Sequence, residues 1–280
     1  AVHSWKDLPL DLGSSTVLAG SLKRADQRDI LFIKKKSQEI IKKNKSINIL
    51  TSSPRRIYNL EFFVKDYLPF ELNKIEFNNI RGNIPSRFKK FLEGNADGLV
   101  MAKAAVDRLL NNPILEFNNT AQIMQHNIDQ CLWTITPLSQ NPTSPGQGAL
   151  GIEVSKYNHN LIKIVKKISN QNTIDCVNEE RKILKTYGGG CHQKIGVSYF
   201  ITHFGLMKAK KGQSDDGIEF CEWGKNDSSI SHGQKINKDQ IYPSSLKNYN
   251  LFRREYILDS IEKIKKISQH CFWISRSSAL

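Results

Sequence analysis

No run of apolar residues in these 280 is long enough to cross a membrane as a helix, which excludes an integral helical membrane protein. The cysteines form no C-x-x-C pair. Cys131, Cys176, Cys191, Cys221 and Cys271 are odd in number and scattered, which argues against a disulfide framework and a zinc site. No metal is expected, and a reducing cytoplasm fits best. No G-x-G-x-x-G or Walker sequence occurs, so dinucleotide and nucleoside triphosphate readings fall. There is no signal-like h-region at the start, so the acceptor tripeptide Asn118-Asn119-Thr120 has no secretory route to make it meaningful. Acidic side chains are in deficit, 27 against 41 basic, for a net charge of +14. That excess admits nucleic acid or an anionic small molecule as partner. Much of it lies in Lys34-Lys35-Lys36 and Lys42-Lys43-Asn44-Lys45, which read as a solvated face, so neither nucleic acid nor membrane is expected as a partner.

The arginines are placed differently. The β-rich run 47–51 is followed by Ser52-Ser53-Pro54 and then by Ile57, Leu60, Phe63 and Tyr67 at helical spacing. Ser52 or Ser53 is a natural N-cap, and Pro54 suits the first turn, where its missing N–H would be unpaired anyway. A helix N-terminus offers free donors and a positive dipole end; with Arg55 and Arg56 it becomes a carboxylate receptor. The alternative is an ordinary capped helix with two exposed arginines. The pattern repeats at strand 75–77, the loop through Arg81-Gly82-Asn83 and a helix over 85–92 with Arg87. It occurs a third time at strand 98–101 and helix 102–110, which carries Arg108. Repeated strand-turn-helix units predict a mostly parallel sheet with its ligand crevice at the carboxyl ends of the strands. Arginine suits that crevice because its fork binds carboxylates bidentately and stays charged.

Further on, Ile174, Val177, Leu184 and Tyr187 recur at helical spacing behind the cap candidates Asn172 and Thr173, and Gly188 sits where a helix ends in a left-handed residue. The loop Gly188-Gly189-Gly190-Cys191-His192-Gln193 then presents a lone sulfur on flexible backbone. By itself this is a helix C-cap beside a buried thiol, or a nucleophile that a bulky group can approach closely. Lys6-Asp7, likewise, is by itself a surface ion pair.

Ala1-Val2-His3-Ser4-Trp5-Lys6-Asp7-Leu8-Pro9, Arg24-Ala25-Asp26-Gln27-Arg28-Asp29, Thr51-Ser52-Ser53-Pro54-Arg55-Arg56, Ile80-Arg81-Gly82-Asn83-Ile84-Pro85-Ser86-Arg87, Gly146-Gln147-Gly148-Ala149-Leu150-Gly151 and the cysteine loop follow one another in a fixed order. In that order the chain, to about residue 200, resembles the porphobilinogen deaminase (hydroxymethylbilane synthase) family. The resemblance implies a transferase of porphyrin and haem biosynthesis that joins four porphobilinogen units head to tail, releasing ammonia at each step. It implies a dipyrromethane cofactor held through a thioether on Cys191. It implies that Lys6, Ser52, Ser53, Arg55, Arg56, Arg81 and Gly82 contact that cofactor, and that Arg87, Arg108, Thr51 and Gln147 bind substrate. Asp7 matches the family's catalytic aspartate. A carboxylate there is also sensible chemically, because loss of ammonia leaves positive charge to stabilise and protons to move. His3 and Ser4 are read as packing and backbone-support residues.

The resemblance implies an α/β fold of three domains: two periplasmic-binding-protein-like lobes, the first incomplete, and a small α+β C-terminal domain. The expected boundaries are 1–26 plus 146–165 for the partial domain 1, 27–140 for domain 2 and 170–270 for the cofactor-carrying domain 3, with 271–280 starting a further segment. The opening residues read as the end of a buried strand, so the chain is taken as truncated at its start, inactive by itself, and monomeric. Pro54 and Trp5 replace residues that are usually aliphatic in the family, and 138–145 looks longer than usual. Two rivals remain: a non-catalytic anion-binding module, which would need neither Cys191 nor Asp7, and a nucleic-acid binder, whose affinity would fall steeply with salt.

Overall fold

The computed structural model describes residues 1–111, 118–188, 193–202, 205–225 and 228–231. In chain order the first elements are β1 (Val2–Ser4), β2 (Thr16–Ser21), β3 (Asp29–Lys34), α1 (Gln38–Asn44), β4 (Ser46–Leu50) and α2 (Pro54–Tyr67). β5 (Lys74–Asn78), α3 (Ile84–Glu93), β6 (Gly98–Ala102), α4 (Lys103–Leu110), α5 (Asn118–Asp129) and β7 (Cys131–Ile135) follow. Then come β8 (Leu150–Ser155), α6 (His159–Ile168), α7 (Gln171–Thr186), β9 (Gly196–Thr202), β10 (Gly205–Gln213), β11 (Glu219–Lys225) and β12 (Ser228–Ser231).

The central sheet has the order β5-β4-β6-β3-β7. Its interior strand β3, Asp-Ile-Leu-Phe-Ile-Lys, is buried along its whole length because helices cover both faces. Alternation sends Ile30 and Phe32 into one core with Phe88, Phe91, Met124 and Trp133, and sends Leu31 and Ile33 into the other with Ile41, Leu60, Phe63 and Val64. β4 runs parallel to β5 and β6, whereas β3 is antiparallel to β6 and β7. β4, β5, β6 and β7 therefore share one direction, so the expectation of a mostly parallel sheet holds with β3 as the one reversed strand.

A second sheet, β1-β8-β2, is antiparallel throughout. One face packs Trp5 and Ala149 against Val177 of α7, and the other packs Ala19 and Val154 against Val165 of α6. β1 is a three-residue edge strand with Val2 64% exposed, not the buried strand its apolar start suggests. His3 has a partner as a support residue would, with Nε2 2.8 Å from Glu153 Oε2. The third sheet is the meander β12-β11-β10-β9, with α7 laid on β9 through Cys176, Leu184, Tyr187, Val197 and Tyr199. Asn170, not Asn172 or Thr173, caps α7 by accepting from the Thr173 N–H. The helix ends as expected, with Gly188 at φ +85°.

The chain crosses between the first two sheets twice, after β2 and before β8, and α7 fastens both crossings. Glu180, fully buried, accepts from both terminal nitrogens of Arg24 at 2.7 and 2.9 Å, from the Gly146 N–H at 2.7 Å and from the Tyr199 N–H at 2.7 Å. One carboxylate thereby joins both crossings and the third sheet. Glu180→Gln should lower the unfolding free energy by about 3 kcal/mol, since it leaves the Arg24 guanidinium buried without its counter-ion. Urea denaturation of the two proteins measures the loss.

Candidate active site

β4 ends at Leu50, and the chain turns through Thr51-Ser52-Ser53 into α2. Ser53 is the N-cap, accepting from the Arg56 N–H, and Pro54 opens the helix. Thr51 is buried, and its Oγ1 accepts from the Ser53 N–H at 3.3 Å. Ser52 Oγ accepts from the Ile80 N–H at 2.9 Å and donates to the Ile80 carbonyl at 2.8 Å. Its hydroxyl therefore ties the β4–α2 turn to the β5–α3 turn, which brings Arg81, Gly82 and Arg87 alongside. Gly82 takes φ +123°, and its carbonyl accepts from Arg87 Nε at 2.7 Å.

The two adjacent arginines have different surroundings. Arg55 is 3% exposed; its Nη1 donates to Asn141 Oδ1 (2.9 Å) and the Pro142 carbonyl (2.8 Å), and its Nη2 to Asp29 Oδ2 (2.9 Å). Arg56 meets the same carboxylate side-on, Nε to Oδ2 at 3.0 Å and Nη2 to Oδ1 at 2.7 Å. Asn141 Nδ2 and Gln147 Nε2 complete the ring around Asp29 at 3.0 and 2.8 Å. Burial alone would raise the Asp29 carboxyl pKa, but Arg56 and Arg55 beside it, with the hydrogen bonds from Arg56 and Gln147, hold it far below the usual carboxylate range. The alternative of an ordinary capped helix with two exposed arginines falls, since both are buried: Arg55 is an internal fastener, and of the two only Arg56 keeps an Nη1 without a hydrogen-bond partner among the described residues. Gln147 is likewise turned inward, onto Asp29 and the Gln27 carbonyl.

The loop at 146–148 carries this knot to the Lys6-Asp7 turn. Gly146, at φ +77°, lies so close that a side-chain carbon there would sit 3.1 Å from the Lys6 nitrogen, and the Trp5 N–H donates to the Ala149 carbonyl at 3.0 Å. Burial lowers the Lys6 pKa, and the Arg56 charge lowers it further. Burial, then Arg56 and Arg81, lower that of Arg87. Lys6, Arg56, Arg81 and Arg87 thus share one region and repel one another, because Asp29 offsets only one of the two arginine charges it binds. Such a set is suited to a ligand with several carboxylates. Asp7 is exposed at the end of the 3-10 turn Trp5–Asp7, next to that region. Arg108 is exposed on α4. Cys191 lies outside the described residues, as do 271–280. Among the described residues no group of three or more His, Cys, Asp or Glu side chains could hold a metal ion, and no helix is long and apolar enough to cross a membrane.

Asp29, Asn141, Glu180 and Arg181 carry the site's framework without having been singled out in the sequence. For Asp29 a signal exists: a carboxylate opening a strand that is otherwise apolar to its last residue must be buried and must find partners.

A family model described as porphobilinogen deaminase, dipyromethane cofactor binding domain, matches residues 1–163. A protein of Sulfurisphaera tokodaii named "Probable porphobilinogen deaminase" is 30% identical over 85% of this chain and 71% of its own length. The porphobilinogen deaminases of Chlorobium phaeovibrioides and Clostridium acetobutylicum are 32% and 31% identical over 70% of this chain, which spans 54% and 58% of their lengths. An arginine transport-system periplasmic binding protein of Legionella pneumophila aligns at TM-score 0.23 with 12% identity, over 62% of this chain and 64% of its own.

Because the folded-state pKa of Asp29 is depressed below its unfolded value of about 3.9, its contribution to stability is fully present above about pH 4 and shrinks as pH falls toward the folded value. Asp29→Asn should therefore destabilise the protein by about 3–5 kcal/mol at neutral pH and flatten the acid limb of the stability curve. Denaturant titrations between pH 2 and 7 test both effects.

Proposed function

We propose that this chain, which belongs to the porphobilinogen deaminase family, works as a hydroxymethylbilane synthase, condensing porphobilinogen head to tail with loss of ammonia. The observation that carries the reading is the cluster Lys6, Arg56, Arg81 and Arg87, whose positive charges exceed the anions around them. Each porphobilinogen brings an acetate and a propionate, so a growing oligomer supplies the missing anions. A dipyrromethane with four carboxylates fits the same surplus; bound to Cys191 through a thioether, it would supply the free pyrrole carbon from which chain growth starts.

In this reading Arg56 and Lys6 take cofactor carboxylates, Arg81 and Gly82 shape the adjoining turn, and Arg87 takes an incoming substrate carboxylate. Arg108 serves substrate from α4. Thr51, Ser52, Ser53, Arg55 and Gln147 act by fixing the turns and the orientation of Arg56. Asp7 stabilises the positive charge that develops as ammonia leaves and moves the protons at the amino group and the ring carbon. The partner is a small molecule, with no nucleic acid or membrane, and the working form is a cytoplasmic monomer. Domain 1 comprises 1–26 and 146–165, domain 2 comprises 27–140, and domain 3, from 170, presents Cys191.

Intact mass spectrometry tests the anchor. The protein should carry an adduct of two pyrrole units that is absent from Cys191→Ser; an unmodified parent, or an adduct retained by the Ser variant, rules the assignment out. In the intact enzyme Asp7→Asn should slow porphobilinogen consumption by roughly 10² to 10⁴-fold with the adduct still attached. An adduct-free protein that binds porphobilinogen without consuming it would instead be an anion-binding module. Arg56→Lys should weaken retention of polycarboxylate ligands by about tenfold, since one ammonium cannot hold Asp29 side-on and still present a donor to the cleft.

A further inference from the structure

Asp7 is exposed and sits on a turn with little of its own to hold it. β1 is only three residues long, and the Trp5–Asp7 turn has no side-chain cap. The Leu8 N–H closes it on the Trp5 carbonyl at 3.2 Å, and the next regular element does not begin until Thr16. A carboxylate meant to meet a transient positive charge needs a fixed backbone under it.

That backbone is held from α7. Arg181 Nη1 donates to the Leu8 carbonyl at 3.1 Å and reaches the Trp5 carbonyl at 3.5 Å, and Nη2 donates to the Pro9 carbonyl. The three acceptors bracket Asp7 on both sides. One turn earlier on the same helix, Val177 packs on the Trp5 ring, so α7 grips the turn by its side chain and its carbonyls together. Among the described residues Arg181 forms no ion pair. Its planar fork is committed to main-chain oxygens, an arrangement a lysine's single nitrogen cannot reproduce. The same helix leads, ten residues on, to Cys191.

We infer that Arg181 is a positioning residue for Asp7, locking the 5–9 turn in place from the helix that leads to the cysteine loop. This rests on the reading of Asp7 as the catalytic carboxylate. It implies that the turn bearing Asp7 is held to α7 by one guanidinium.

The test is a double-mutant cycle on the intact protein, with turnover and backbone amide hydrogen exchange as readouts. Arg181→Lys keeps the charge and the helix. It should cut turnover by roughly 10 to 10²-fold, the cost of misplacing a catalytic group by about 1 Å. Exchange at Leu8 should accelerate by about an order of magnitude while β3 and β8 stay protected. On an Asp7→Asn background the same substitution should cost less than about twofold, because the residue it acts through is already disabled. An equal penalty on both backgrounds, or unchanged exchange at Leu8, overturns the positioning role and leaves the catalytic reading of Asp7 intact. Full turnover by Asp7→Asn alone overturns that reading, and the positioning role falls with it.

Discussion

The Asp29 carboxylate, buried and met by five donors from Arg55, Arg56, Asn141 and Gln147, is the interaction on which the rest of the site depends. A carboxylate is tolerated at the head of a buried strand only when its charge and lone pairs are met, and here two guanidinium groups meet them. The partners come from α2 and from the long connection between β7 and β8, so satisfying one charge fixes three segments against each other. The arithmetic of that pairing also produces the site. Two arginines bind one carboxylate, one positive charge is left over, and Lys6 and Arg87 gather around the surplus.

Glu180 plays the matching part at the crossings. Where Asp29 joins the central sheet to the β7–β8 connection, Glu180 joins that connection to the β2–β3 crossing and the third sheet. Both acids bind arginine and main-chain or amide N–H groups, and neither has a lone pair facing water. The geometry of this region is thus set by two buried anions, while in the proposed function its chemistry falls to the cations they leave uncompensated and to Asp7. Rigidity and reactivity fall to different residues. Arg55 and Gln147, which by residue type belong to a binding site, serve the first purpose here.

The local signals in the sequence were sound where the cause of structure is local. Ser53 before Pro54 starts α2, Gly188 ends α7 in a left-handed conformation, and periodic apolar residues place both helices. Capping and periodicity act within a turn or two, so composition and spacing reveal them. The signals failed where the cause is distant. Asn170 rather than Asn172 caps α7 because its N–H also donates to the Ser21 carbonyl of another strand, and β1 proved exposed because nothing described packs over it.

The sequence by itself determined the ordered motifs, the start of α2 behind Ser52 or Ser53 and the presence of arginines at strand-to-helix turns, because each depends on neighbours along the chain. Only the tertiary structure decided which arginine has both terminal nitrogens engaged and which keeps one open. The physical reason is that side-chain role follows burial and partner: Arg55 and Arg56 are adjacent in sequence and alike in charge, yet Asn141 and Pro142, more than eighty residues away, engage Nη1 of Arg55, while Nη1 of Arg56 has no hydrogen-bond partner among the described residues.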